Sequence, residues 1–308
     1  MAERIVILGV FVADTSYRAD RAPRIGETIL GNSFALGPGG KGSNQAVAAA
    51  KAGGQVHFLS KLGKDPFADM ALATWQQAGV TAEVSQHADQ YTGAAYIFIE
   101  EATGNNAIIV CPGVAATISP ADIDANAALI AGCGVFVTQL EQPMDAALRG
   151  LEIARLGGAQ TILNPAPAAE LTAGMLELCS FVTPNETEAE AITGISVETI
   201  DEARNSAEVL LNKGVGAAII TLGERGVLYH DNTQSVHVPA FDAGTVVETT
   251  GAGDAFNGGF AAALAEGMTP VDAVKFGNAT AAISVTRPGT APSMPSLPEI
   301  QSLLQRKQ

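Results

Sequence analysis

Glu248-Thr249-Thr250-Gly251-Ala252-Gly253-Asp254-Ala255-Phe256 is a glycine-rich turn that runs directly into an Ala-rich apolar stretch ending near Leu264, which reads as a helix. Such a junction presents unpaired backbone N–H groups at the positive end of a helix dipole, which is what a phosphate requires. Asp254 falls in the first helical turn. Gly-x-Gly-Asp alone equally describes an ordinary acidic residue at a helix start, so its surroundings must decide. Outward from it, short apolar runs at 5–9, 135–138, 161–164, 181–183 and 217–221 alternate with helical stretches. That alternation predicts a parallel sheet wrapped by helices. Asp65 then Pro66 opens a helix that Gly79 closes, and Ser119 then Pro120 opens another.

Two segments break the rhythm, at about 11–36 and 92–110. In the second, residues 94–100 and 107–110 flank the turn Thr103-Gly104-Asn105-Asn106, which predicts a β-hairpin. Strands without crossover helices do not readily join a parallel core. The two segments are therefore expected to pair into a small antiparallel sheet projecting from it, placed to act as a lid.

The chain has 308 residues, 47% of them hydrophobic, enough for a large core, and no stretch reads as a linker or a repeat. One unit is expected. A net charge of -15 repels phosphate backbones, so nucleic acid is not an expected partner. The apolar run at 5–13 is too short to span a membrane and reads as a first strand. Cys111, Cys133 and Cys179 are odd in number, far apart and without metal-ligand spacing, which suits a reducing cytoplasm.

Gly37-Pro38-Gly39-Gly40-Lys41-Gly42 lacks the spacing of a Walker phosphate loop, and Gly251-Ala252-Gly253 lacks the third glycine of a dinucleotide fingerprint. Gly39-Gly40-Lys41-Gly42-Ser43-Asn44-Gln45 opens a helix running to Lys51, where glycines let backbone approach a ligand and Lys41 and Asn44 supply polar groups. A glycine-rich turn with a surface lysine is the plainer reading of the same letters.

Gly39-Gly40-Lys41-Gly42-Ser43-Asn44-Gln45-Ala46 near the start and Thr250-Gly251-Ala252-Gly253-Asp254-Ala255-Phe256 near the end resemble the two signatures of the ribokinase (PfkB) family of carbohydrate kinases. Between them Gln139-Leu140-Glu141-Gln142-Pro143, Asn164-Pro165-Ala166-Pro167, Thr183-Pro184-Asn185-Glu186-Thr187-Glu188 and Thr221-Leu222-Gly223 resemble ribokinase segments in the same order. The resemblance covers essentially the whole chain. It implies one kinase domain over residues 1–308 with a ribokinase-like, three-layer, doubly wound α/β fold and the lid inserted in it. It also implies an ATP-dependent sugar kinase that phosphorylates the hydroxymethyl oxygen of a pentose and pairs as a homodimer through the lid.

By family position, Asp254 would accept the proton of the hydroxymethyl, and Gly251, Ala252 and Gly253 would form an anion hole for the γ-phosphoryl group. Val12, Asp14, Gly40, Lys41, Gly42, Asn44 and Glu141 match sugar-binding positions. Asn185, Thr221, Gly223, Gly226, Gly253 and Asn278 match the ATP side, and Asn185 with Glu188 resembles a device holding magnesium largely through water. A monovalent-cation site is implied at Glu248, Thr250, Ser284, Arg287, Gly289 and Ser293, where Glu248 stands in place of the family's Asp and leaves potassium activation open.

A second departure is Val12, where ribokinases carry Asn. Methyl groups cannot replace a lost amide bond to a sugar hydroxyl, so a sugar such as 2-deoxyribose is expected to suit this chain better than it suits a typical ribokinase. Other acceptors remain open at this point: a nucleoside, fructose, or a phosphosugar whose phosphate Arg18, Arg21 and Arg24 would read. A sugar-binding regulator would not need the anion hole and Asp254 together. An NAD-linked oxidoreductase lacks its phosphate fingerprint.

Overall fold

The computed structural model describes residues 3–306. In chain order the first part runs β1 (Arg4–Leu8), β2 (Val12–Ala19), β3 (Ser33–Gly39), α1 (Lys41–Lys51), β4 (Gln55–Gly63), α2 (Pro66–Ala78), β5 (Thr81–His87), β6 (Thr92–Glu100) and β7 (Asn106–Gly113). Then follow α3 (Pro120–Asp124), α4 (Ala127–Ala131), β8 (Val135–Thr138), α5 (Met144–Leu156), β9 (Gln160–Leu163), β10 (Phe181–Val182), α6 (Glu186–Thr193) and α7 (Ile200–Asn212). The last part holds β11 (Ala217–Thr221), β12 (Val227–Asp231), β13 (Ser235–Val238), α8 (Ala252–Ala265), α9 (Pro270–Ser284) and α10 (Leu297–Gln305).

Nine strands form one sheet in the order β13-β12-β11-β10-β9-β8-β1-β4-β5. From β5 to β11 every pairing is parallel, and β12 and β13 close one edge as an antiparallel pair. The central strand explains the layering. Successive side chains of a strand point to opposite faces, and those of β1 from Ile5 to Leu8 are all apolar. Ile5 and Ile7 pack with Trp75 of α2, Phe256 and Phe260 of α8 and Ile300 of α10. Val6 and Leu8 pack with Ile123 of α3, Leu151 of α5 and Leu210 of α7. Helices thus cover both faces, as the alternation of elements predicts. Helix boundaries follow the chemical signals: the Asp65 side chain accepts from the Ala68 N–H, Pro66 occupies the first turn, and Gly79 ends α2 in the left-handed region at φ 81°.

The second sheet has the order β3-β2-β6-β7 and is built from the two segments expected to project. β2 with β3 and β6 with β7 are antiparallel hairpin pairings, whereas β2 with β6 at the centre is parallel. The reason lies in the core. β2 and β6 continue outward just beyond β1 and β5, which run in the same direction, so the small sheet is mixed where a purely antiparallel one was expected. Among the described residues no helix is long and apolar enough to cross a membrane.

Candidate active site

Helix α8 begins at Gly251, which sits in the left-handed region at φ 82° without a side-chain cap. The Ala252 N–H donates to the Thr249 carbonyl at 3.1 Å and the Ala255 N–H to the Gly251 carbonyl at 2.9 Å. Of the expected anion-hole donors, the Gly251 and Gly253 N–H groups are therefore the ones left without a partner. No atom lies within 4 Å of where a Cβ on Gly253 would stand, so backbone is open to a ligand there.

Asp254 follows, 7% exposed, and its carboxylate is held from α1. Asn44 Nδ2 donates to Oδ2 and Gln45 Nε2 to Oδ1, each at 3.0 Å. This approach depends on Gly258, where a Cβ would lie 2.6 Å from the Gln45 carbonyl oxygen. Any larger residue would push α1 and α8 apart. Gly40 and Gly42 do similar work at the start of α1: a Cβ on Gly40 would lie 2.5 Å from the Val10 carbonyl, and one on Gly42 would lie 2.7 Å from the Gly9 Cα.

Asp254 stands where two small cavities meet, together with Lys41 and Gly251. The first, about 150 Å³, is lined by Asn185, Glu188, Thr221, Thr249, Gly253 and Asn257 among others. The second, about 190 Å³, takes Gly40, Asn44, Glu141 and Thr290 from the core side and Val12, Asp14, Ala95, Ile97, Ile108 and Val110 from the small sheet. Sequence reasoning named most of these residues, and the fold sorts them onto two sides of one carboxylate. A roomier groove of about 770 Å³ lies elsewhere, beside Glu170 and Lys213, and brings together none of them.

Other expected residues stand back from the cavities. Gly42 is buried in the first turn of α1 and lines neither. Gly223 opens a short turn after β11 at φ 56°, and Gly226 closes it at φ 93°. Asn278 is buried and donates to the Pro239 carbonyl at 2.8 Å. Arg21 pairs with Glu27, and none of Arg18, Arg21 and Arg24 reaches the sugar-side cavity.

Burial dominates the electrostatics. It pushes Asp14 up to about 6, with the Asp254 charge adding to the shift. It raises Glu141 to about 7 against the opposing Lys41 charge and the Lys41 backbone N–H, which donates to Glu141 at 2.7 Å. Asp254 is also raised by burial, opposed by Lys41, Asn44 and Gln45, and Glu188 is raised by burial as well. Glu141, Asp254 and Glu188 thus share the charge of one lysine, with Asp14 beside them, a balance suited to hydroxyl donors and cations.

The model of the pfkB family of carbohydrate kinases matches residues 2–297. This chain belongs to that family. A deoxyribokinase of Salmonella typhi is 38% identical over 302 residues, covering 97% of this chain and 98% of its own. A ribokinase of Haemophilus influenzae is 35% identical over 306 residues, covering 99% of each. The solved Arabidopsis thaliana ribokinase, complexed with ribose and ATP, superposes with a TM-score of 0.95 at 27% identity over 100% of both chains. This pfkB-family chain is accordingly a phosphotransferase acting on a sugar hydroxyl.

Two ion sites implied for this pfkB kinase can be weighed by their donors. Asn185 and Glu188 form a reciprocal cap on α6: Asn185 Oδ1 accepts from the Glu188 N–H at 2.8 Å, and Glu188 Oε2 from the Asn185 N–H at 2.9 Å. One Glu188 oxygen is left outside this pair, and Glu188 lines the first cavity, which fits a magnesium ion held largely through water and substrate phosphates. At the expected monovalent site, Glu248 Oε2 accepts from the Gly289 N–H at 2.8 Å, while Ser284 and Ser293 donate to the Ala281 and Thr290 carbonyls. Arg287 pairs with Glu299, and Thr250 lines the sugar-side cavity. The oxygens left to an ion there are one of Glu248, the hydroxyls of Thr250, Ser284 and Ser293, and backbone carbonyls.

The side chains that sequence reasoning gave no role are polar ones packed in the same place. Gln45, Gln139, Asn164, Thr183 and Asn257 are all buried and joined by hydrogen bonds around Asp254. In the sequence the visible signal was only a glutamine, Gln45, heading the alanine-rich run of α1; its burial is seen in the fold.

Proposed function

We propose that this kinase transfers the γ-phosphoryl group of ATP to the hydroxymethyl oxygen of a pentose, 2-deoxyribose or ribose. One observation carries the reading: Asp254 lies at the junction between a sugar-sized cavity, which carries polar groups on one side, and the open N-terminus of α8. On the sugar side, the buried Asn44 Oδ1 has no partner and is ready to accept from a hydroxyl. Asp14, Lys41 and Glu141 supply further polar contacts beside it.

In the reaction the hydroxymethyl oxygen attacks the γ-phosphorus, Asp254 takes its proton, and the bond to the bridging oxygen breaks to release ADP. The Gly253 N–H and Lys41 meet charge on the transferred group. Magnesium held through water beside Asn185 and Glu188 would supply charge neutralisation between the phosphates. Thr221 and Gly223 border the nucleotide, while Gly226 and Asn278 shape its wall from behind. A potassium ion at Glu248 would tighten the turn before α8, and exchange of potassium for sodium in the assay tests whether it acts.

The small sheet has one face over the sugar. Its strand register places Tyr17, Phe34, Leu36, Tyr96 and Ile109 on the other face, each from 37% to 63% exposed. A second copy of the chain is the proposed cover for this apolar face and for the β3 and β7 edges. Light scattering at micromolar concentration should show a dimer that Ile109→Glu dissociates, and a monomeric parent would contradict this.

The proposal is tested by kcat/KM for ATP-dependent phosphorylation of 2-deoxyribose, ribose, a nucleoside, fructose and fructose 6-phosphate. The two pentoses should lead. A higher value for the nucleoside or for fructose 6-phosphate would overturn the assignment.

A further inference from the structure

Asp254 accepts two hydrogen bonds, and the donors differ in what else they face. Asn44, on Oδ2, lines the sugar-side cavity. Gln45, on Oδ1, is fully buried and lines neither cavity. Oδ2 is therefore the oxygen on the side of the acceptor.

The two ends of an amide have the same shape, so only its partners fix which end donates. Here the fixed point is the Thr183 backbone carbonyl, which can only accept. Asn164 Nδ2 donates to it at 3.1 Å, which turns Asn164 Oδ1 toward Gln45. Gln45 Nε2 must then donate to that oxygen, at 3.1 Å, and the same nitrogen faces Asp254. Gln45 Oε1 is left to accept from Gln139 Nε2 at 2.6 Å. Turned over, Gln45 would set its carbonyl oxygen against both Asn164 Oδ1 and the Asp254 carboxylate.

The relay ends in an unmet bond. Gln139 Oε1 is buried without a partner, pressed toward Gly9 and Gly42. Native folds rarely leave a buried acceptor unpaired, and networks that do so tend to serve a site.

We propose that Gln45 is a positioning residue for phosphoryl transfer, locked in one orientation by Asn164 and Gln139, that holds Asp254 with Oδ2 toward the acceptor hydroxyl. The inference rests on the reading of Asp254 as the base. The Gln45 bond, with the Lys41 charge and the Asn44 bond, also opposes the effect of burial on Asp254, which Asp14, Glu141 and Glu188 face as neighbouring carboxyls. Without the Gln45 bond the carboxylate stays protonated to higher pH, so the acid limb of the rate profile moves upward.

The test is the pH profile of kcat/KM with ATP and 2-deoxyribose or ribose for the full-length Gln45→Leu, Gln139→Leu and Asp254→Asn variants. Gln45→Leu should lose about tenfold or more in kcat, with its acid limb raised by about one pH unit and KM for ATP unchanged. Gln139→Leu frees Gln45 without touching Asp254. It should show a smaller shift of the same sign; the orphaned Gln139 oxygen is gone, but Gln45 Oε1 loses its donor, so melting at or somewhat below the parent's is expected. Parent-like profiles in both variants, or a uniform loss without a pH shift, would overturn the proposal, and if Gln45→Leu does not fold then Gln139→Leu decides alone. Near-normal turnover by Asp254→Asn would instead overturn the base assignment and this inference with it. An inactive Asp254→Asn beside parent-like glutamine variants would overturn this inference only.

Discussion

The nine-stranded sheet has helices on both faces, whereas the four-stranded sheet has one face over the sugar-side cavity and the other open to solvent. The large sheet, with α1 and α8 packed on it, fixes Asp254 and the phosphate-binding turn to within hydrogen-bond tolerances. The small sheet touches the substrate space only through side chains such as Val12, Ala95 and Ile97. The proposed base therefore sits on the core alone, whereas the sugar-side cavity is shared between Lys41, Asn44 and Glu141 of the core and Val12, Asp14, Ala95 and Ile97 of the small sheet.

A substitution on the core side should act on rate. Asp254→Asn keeps size and helix-start geometry but removes the proton acceptor, so kcat should fall by roughly 10² to 10⁴-fold while KM values change little. Steady-state kinetics on a variant with parent-like melting would check this, and a large rise in KM would blur the division.

A substitution on the lid side should act on selectivity. Val12→Asn adds an amide at the cavity wall, and the kcat/KM ratio of ribose to 2-deoxyribose should rise by about tenfold with the kcat for 2-deoxyribose largely kept. An unchanged ratio would mean that position 12 does not read the sugar.

The seam between the two gives the smallest effect. Asp14, on β2, is held at about 6 in the fold against 3.8 in its ordinary state. A carboxyl with a raised folded value costs stability once ionised, so its burden grows as pH rises from 3.8 to about 6 and is constant above that. Asp14→Asn should therefore raise the Tm of the unliganded protein by a few degrees at neutral pH, with no gain below the ordinary carboxylate range. The same variant should bind sugar less well. Equal Tm differences at both pH values would show that Asp14 is not strained by burial.

The same contrast governs how much could be read from the sequence. Strands β1, β8, β9, β10 and β11 are buried on both faces and stand out as continuous apolar runs. Strand β4 mixes Gln55, His57, Ser60 and Lys61 with its apolar residues, and the β12–β13 edge pair is equally unmarked, so neither was foreseen. The hairpin β6–β7 announced itself through the turn at Thr103 to Asn106, but the parallel pairing of β2 with β6 depends on where the core delivers both strands.

The candidate site was legible as letters and not as bonds. Asp254, Lys41 and Asn44 could be picked out of their motifs. The bond of the Ala252 N–H to Thr249 could not be, because it depends on how the turn closes. Nor could the glutamine relay, which exists only because Gly258 lets α1 and α8 touch.

Phosphorus NMR of the product formed from ATP and 2-deoxyribose tests the central claim most directly. If Asp254 activates the hydroxymethyl oxygen, the new monoester phosphorus should couple to both protons of the hydroxymethyl carbon. Coupling to the anomeric proton, or release of inorganic phosphate with no sugar ester, would contradict the account.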